Sequence, residues 1–454
     1  MENQIVSICD KTIYVLYILL FFITPLLICP WTYELFEFPK MIFVYALAVL
    51  IVACFTIRSL FTSFPSLQHV FKKVPWITLL FVHLVWFFFS VVFSMHIYTS
   101  IFGYYSRFHG GLFSVGAYLA LFLVYIFEFG AKPEVFVKFC FALVFSSFIV
   151  SIYAVLQHFG IDNQYWVQDS ASRVFSFLGQ PNWLAAWLLM VIPLSWAFYF
   201  AERKGFLKIV FFVLSVITFT AFWFTYSLSG LLGFVVVVGF FFIVFPIQAR
   251  SFYPKGTVFI LALAYGFIIT CYSGPYLERI EGAWRHLVGN YEVYASELNI
   301  AGGGDTAQIR KIVWRGALDV WKSSPKVFLV GTGPETFAYA FLPHRPSELN
   351  KTSEWEFLYN RAHNEYLDVL TEQGAFGLLS YLAYVGVFVW WGLGKDSAIV
   401  GLGALGERRI QYLKRAAFCG WLSLLVTNLF GFSVVPTALL FWLYPAFLCA
   451  ACAY

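Results

Sequence analysis

Residues 206–247 read FLKIVFFVLSVITFTAFWFTYSLSGLLGFVVVVGFFFIVFPI, with Lys208 as their single charged residue. An apolar run of this length suits two membrane-spanning helices of about 20 residues each. The polar Thr225-Tyr226-Ser227-Leu228-Ser229-Gly230 separates them into 206–225 and 229–247. Comparable blocks fall at 12–30, 40–63, 75–94, 112–130, 135–159, 182–200, 256–272, 375–394, 410–430 and 433–452. The sequence therefore predicts an all-α polytopic membrane protein with about 12 transmembrane helices.

Composition agrees. The chain has 454 residues, 61% hydrophobic and 12% charged, and a mean hydropathy of +0.78. Soluble domains carry about 25% charged residues, so a water-soluble fold is excluded. Aromatic residues make up 22%; Phe suits lipid-facing surfaces, and Trp and Tyr suit the interfaces. The net charge of +5 is modest and gives no sign of a nucleic-acid partner. The cysteines lie in or beside apolar blocks and suggest neither a disulfide framework nor a metal site. Cys449-Ala-Ala-Cys452 reads as small residues of a buried span. The N-terminal block has no cleavage site and reads as a retained first helix.

Lys and Arg fix the orientation. With the N-terminus in the cytoplasm, Lys11, Arg58, Lys72, Lys73, Arg203, Lys204, Arg408, Arg409 and Lys414 lie inside. The short outer loops keep Lys40, Arg107 and Arg173, a strong positive-inside bias. An even helix count returns both termini to the cytoplasm. Three regions follow: 1–272 with helices 1–9, a large periplasmic helical loop at 273–362 between helices 9 and 10, and 363–454 with a signature helix and helices 10–12. Within the loop, Asp305 and Gln308 are spaced as a capping box for a helix over about 306–323. Its apolar stripe is Ile309, Val313, Val320 and Trp321. A helix from about Asn360 to Gln373 should end at Gly374 as its left-handed cap. On it His363, Tyr366, Leu367 and Leu370 share one face; Glu365, Asp368 and Glu372 share the opposite face and look to water.

Several polar segments reach the same outer side: 106–109, 173–182, 227–230, 310–315 and 361–364. His363 can titrate near neutral pH and act as a general base. Arginine is the planar donor that grips phosphate. Beside a bilayer that phosphate belongs to a lipid. Arg310 lies next to the apolar stripe and is the stronger candidate; Arg315 lies roughly opposite and can be solvated. Snorkelling to headgroups is the plain reading of Arg107. His83, His96 and His158 read as locally satisfied. No HExxH, no Cys/His spacing and no outer Asp-x-Asp pair suggests a metal.

Four segments resemble the O-antigen ligase and polymerase superfamily of bacterial integral membrane glycosyltransferases. They are Arg173-Val-Phe-Ser-Phe-Leu-Gly-Gln-Pro-Asn182, Arg310-Lys-Ile-Val-Trp314 with Gly331-Thr-Gly-Pro334, Ala362-His363-Asn364-Glu-Tyr-Leu367 with Glu372-Gln-Gly374, and Thr225-Tyr-Ser227-Leu-Ser229-Gly230. In the last, Leu228 stands where the family usually has Arg. The resemblance implies glycan transfer from an undecaprenyl-diphosphate carrier, with lipid A-core as acceptor in the ligase branch. The polymerase and protein-glycosylating branches use a growing glycan or a protein instead. It implies an inner-membrane location, a periplasmic active site, membrane lipids as surroundings and no cofactor. His363 becomes the general base, with Arg310 and Arg173 on the diphosphate. Arg361, Asn364, Asn182, Arg107 and Arg315 are further substrate-binding candidates. A transporter of the lipid carrier is the rival class, but it would carry midplane charges and inverted repeats, and neither stands out here.

Overall fold

The computed structural model describes residues 2–62, 74, 76–130, 132–203, 205–249, 253–288, 304–394 and 403–453. Among the described residues the elements are helices, with no strand. In chain order they are α1 (Glu2–Ile23), α2 (Glu37–Ser59), α3 (Trp76–Val92), α4 (Ile97–Phe102), α5 (Leu112–Phe129) and α6 (Pro133–His158). Then come α7 (Pro181–Ala201), α8 (Phe206–Phe224), α9 (Leu228–Gln248), α10 (Lys255–Cys271), α11 (Gly274–Val288) and α12 (Gly304–Lys322). The chain ends through α13 (Pro325–Val330), α14 (Phe337–Phe341), α15 (Glu365–Gly392), α16 (Gly403–Thr427) and α17 (Val435–Ala453).

A helix coincides with every one of the predicted apolar blocks. Among the described residues eight are long and apolar enough to cross a membrane, or nine if the bent pair Lys255–Cys271 and Gly274–Glu281 is one span. The difference from twelve has simple causes. Trp76–Val92 and Val435–Cys449 are apolar but shorter, and α16 carries Glu407, Arg408, Arg409, Lys414 and Arg415 along its first half.

The centre of the bundle is α7, whose apolar window is 100% buried. A helix without a polar face has to be surrounded by others, and α8, α9, α16 and α17 pack around it. Contact with α16 is close because Gly420 has no side chain: a Cβ there would lie 2.4 Å from the Met190 carbonyl oxygen. The Tyr444 hydroxyl, from α17, donates to that same oxygen at 2.9 Å.

The segment that follows α11 forms a second, smaller core. Ile309, Val313, Ala317 and Val320 of α12 pack against Phe337, Phe341, Leu349 and Tyr359. This is the predicted stripe, with Trp321 turned instead to stack on Phe328. The Asp305 side chain of the expected capping box lies outside the described residues. The loop is tied to α15 by backbone bonds from Thr332 N to Thr371 O (3.0 Å) and from Gly333 N to Glu372 O (2.9 Å).

That junction depends on Gly374. The helix predicted to begin near Asn360 begins at Glu365, but it breaks at Gly374 as expected, with φ 70° and ψ −174°. A Cβ on Gly374 would sit 2.2 Å from the Leu329 carbonyl oxygen. Gly374→Ala should therefore destabilise the protein by more than about 1 kcal/mol, since Ala disfavours positive φ and backbone must also move. Gly386→Ala, where nothing lies within 4 Å of the added carbon, should be neutral or slightly stabilising. Thermal unfolding of both variants in detergent checks this, and equal midpoints would contradict the docking.

Candidate active site

The segment Arg361-Ala362-His363 is held from both sides. Ala362 donates its N–H to Asp368 Oδ1 at 2.7 Å, and its carbonyl accepts from Trp314 Nε1 at 3.0 Å. Arg361 is ion-paired to Glu335 and lies 3.8 Å from Glu372. Asn364 caps α15, its Oδ1 accepting from Tyr366 N (3.0 Å) and Leu367 N (3.2 Å). His363 is thus left one residue before the cap, in the left-handed region at φ 55°, which a non-glycine residue adopts only under constraint.

Two expectations are corrected here. His363 does not lie on a helix face; it precedes the helix. Two of the three acids do not look to water: Asp368 is 1% exposed and Glu372 4% exposed, while Glu365 is half-buried and accepts from Ser433 N at 2.9 Å. Helical spacing groups these residues correctly, but it does not say which face turns inward. The inward turn is made possible by Arg361, whose buried charge gives the carboxylates a partner.

A cavity of about 260 Å³ opens beside His363. Arg107, Asn182, Arg310 and His363 all line it, with Gln180, Ser229, Asn360 and the turn that carries Asn428 and Phe432. Residues far apart in sequence, His363 and Arg310 singled out by their chemistry and Arg107 and Asn182 named with the family resemblance, therefore share one space. Arg310 Nε and His363 Nδ1 are buried without a hydrogen-bond partner. The Arg107 guanidinium lies over the rings of Trp183 (5.2 Å) and Phe432 (5.3 Å), a cation–π arrangement. The His363 ring is 5.5 Å from the same Phe432 ring. Arg173 stands behind the wall, donating from Nε to Thr225 O (3.0 Å) and from Nη2 to Asn182 Oδ1 (3.1 Å).

Electrostatics follow from this crowding. Burial, then the positive charges of Arg310, Arg107 and Arg361, lower the His363 pKa to about 3. Burial, then Arg279, lowers Arg173 to about 9. Arg310 is lowered by burial and by Arg279 as well. The site is a pocket of excess positive charge around a neutral imidazole.

The other candidates sit elsewhere. Arg361 lines an adjoining cavity of about 120 Å³ with Glu335, Glu365, Glu372 and His109. Asn364 serves as the cap described above. Arg315 is half-exposed and pairs with Glu348 at 2.7 Å. His83 meets Ser380 Oγ at 3.1 Å, His96 meets Thr99 Oγ1 at 2.8 Å, and His158 meets Ala171 O at 3.2 Å, each satisfied locally. Among the described residues no group of three or more His, Cys, Asp or Glu side chains is disposed to hold a metal ion.

Two residues escaped the sequence reading. Phe432 lies in Asn428-Leu-Phe-Gly431-Phe432-Ser433, a turn whose Asn, Gly and Ser mark a break between the last two apolar blocks. That turn was a readable signal. Arg279 follows Glu278 in an amphipathic helix and belongs to no motif, so nothing local distinguishes it.

Among curated proteins, none matches the chain. Residues 213–382 match the family model described as O-Antigen ligase. The matched segment includes Ser229, Arg310 and His363, whereas Arg107, Asn182 and Phe432 lie outside it. Over that segment, which is less than half of the chain, the protein is similar to the O-antigen ligase family that its motifs resemble.

Proposed function

We propose that the protein transfers a glycan from an undecaprenyl-diphosphate carrier to a hydroxyl of lipid A-core, at the periplasmic face of the bacterial inner membrane. In this reading about twelve helices cross the membrane, both termini are cytoplasmic and the loop at 273–362 is periplasmic. The observation that carries it is the shared cavity: an imidazole with a buried, unpartnered nitrogen faces the same space as Arg310, Arg107 and Asn182.

The acceptor hydroxyl attacks the anomeric carbon while His363 takes its proton. The bond between that carbon and the diphosphate oxygen breaks, and the prenyl diphosphate leaves with the bonding pair. Arg310, and Arg173 through the Asn182 wall, meet the charge that develops on the leaving oxygen. No metal is needed for this charge, because guanidinium groups supply the donors.

The lowered pKa of His363 has a direct consequence. A histidine at about 3 is neutral at physiological pH and so ready to accept a proton, but it holds one weakly. Binding the anionic diphosphate offsets Arg310 and Arg107, which raises the pKa of His363. The base is strengthened by the substrate on which it acts.

Three tests follow. In a membrane glycan-transfer assay His363→Ala should lower the rate by about 10²–10⁴, and Arg310→Ala or Arg173→Ala by about 10²–10³. Full activity of correctly inserted His363→Ala would end the base assignment. The pH dependence should also be split. The acid limb of kcat/KM for donor, which reports the free enzyme, should fall well below that of kcat, which reports the donor complex; coincident limbs near the usual histidine range would contradict the charge argument. Last, a deletion strain should lose the whole lipopolysaccharide ladder. Collapse to a single repeat would assign the polymerase branch instead.

A further inference from the structure

Among the described residues, Arg279 is a cation, its Nε buried, that the donor reading does not use. Arg279 lies on α11, which packs on α9 and α12. Its position is fixed one turn earlier by Tyr276, whose ring meets Trp223 at 4.5 Å and Tyr226 at 5.3 Å. Trp223 lies in the last turn of α8 and Tyr226 in the connection that leads to α9 at Leu228. Tyr276 and Arg279, three residues apart, share a helix face, so Arg279 is carried to the same side of the bundle as Arg173 and Arg310. Its Nε is buried and without a hydrogen-bond partner, as is Arg310 Nε.

The charge balance of this group is unusual. Arg279 is the first charge acting on both Arg173 and Arg310, and it acts on each to destabilise the guanidinium. The acid acting on Arg310 is Glu354, ranked after Arg279. Most buried arginines are paired with carboxylates. Here like charges are gathered: Arg279 and Arg310 each keep a buried, unspent Nε donor, while Arg173 donates to Thr225 O and Asn182 Oδ1. Such a group is relieved by an anion with several oxygens and more than one negative charge, and arginine is suited to grip it in a fork.

We propose that Arg279 is a third binding residue for the diphosphate of a prenyl-linked donor, acting together with Arg173 and Arg310. The proposal rests on the donor reading above and adds to it a residue from a different helix. The three guanidinium groups come from the segment before α7, from α11 and from α12, so one diphosphate would join the membrane bundle to the outer loop.

The test uses the full chain in detergent and isothermal titration with farnesyl diphosphate, with inorganic pyrophosphate as a second probe. Arg279→Ala should weaken farnesyl diphosphate binding by about 10–100-fold, the worth of one or two charged hydrogen bonds. Arg279→Lys should recover part of that loss. Lys311→Ala, an exposed neighbour on α12, should bind as the native chain does. If Arg279→Ala does not elute as a folded species, Arg279→Gln against Arg279→Lys gives the same contrast of charge. Weakening by Arg173→Ala and Arg310→Ala but not by Arg279→Ala overturns this proposal and leaves the donor reading standing. Failure of the native chain to bind either probe overturns both. Equal affinity for the two probes supports the anion site and assigns it to the phosphates alone; tighter binding of the prenyl form supports a lipid-linked donor.

Discussion

The backbone of Ala362 is the constraint on which the candidate site depends. Its N–H ends on a buried carboxylate and its carbonyl on a tryptophan from α12. On one side Arg361 is anchored among Glu335 and Glu372; on the other Asn364 begins a helix. With both flanks fixed, His363 is left in a left-handed backbone with its ring against Phe432. A buried ion pair is costly to break, because the remaining charge has no partner. That cost is what keeps the imidazole in one place relative to Arg310 and Arg107.

The two neighbouring cavities have opposite electrostatic character. Around Arg361 the carboxylates outnumber the single guanidinium, and their charge raises the Arg361 pKa against the effect of burial. Around His363 the guanidinium groups prevail and the imidazole stays neutral. Glu335 belongs to the first group yet also acts on Arg107, so it links the two. Separating the signs lets one cavity stiffen the backbone while the other keeps an excess of positive charge.

Much of this was readable from the chain. Apolar block length gave the helices, and the left-handed Gly374 followed from its place after Gln373. The stripe of α12 put Arg310 on the inner side and Arg315 on the outer one. The chemistry of His363 and Arg310 marks them in the sequence, the family resemblance adds Arg107 and Asn182, and three-dimensional packing gathers all four. What could not be read was direction. Spacing groups Asp368 with Glu372, but only the buried Arg361 decides that they turn inward. Nor could spacing find Arg279, because its significance comes from Arg173 and Arg310, which are distant in sequence. Phe432 was passed over for a different reason: an aromatic residue in a chain so rich in them carries little information until its neighbours are known.

The cavity is walled by stretches from Arg107 to Thr437, whereas the segment shared with the family runs from 213 to 382. The imidazole and Arg310 lie inside that segment; Trp183, Asn182 and Phe432 do not. The candidate base and Arg310 thus have a different address along the chain from Arg107, Arg173 and much of the wall. A recombination event confined to the matched segment would carry His363 and Arg310 into another protein's walls, and the shape of the space beside the imidazole would be inherited from the host.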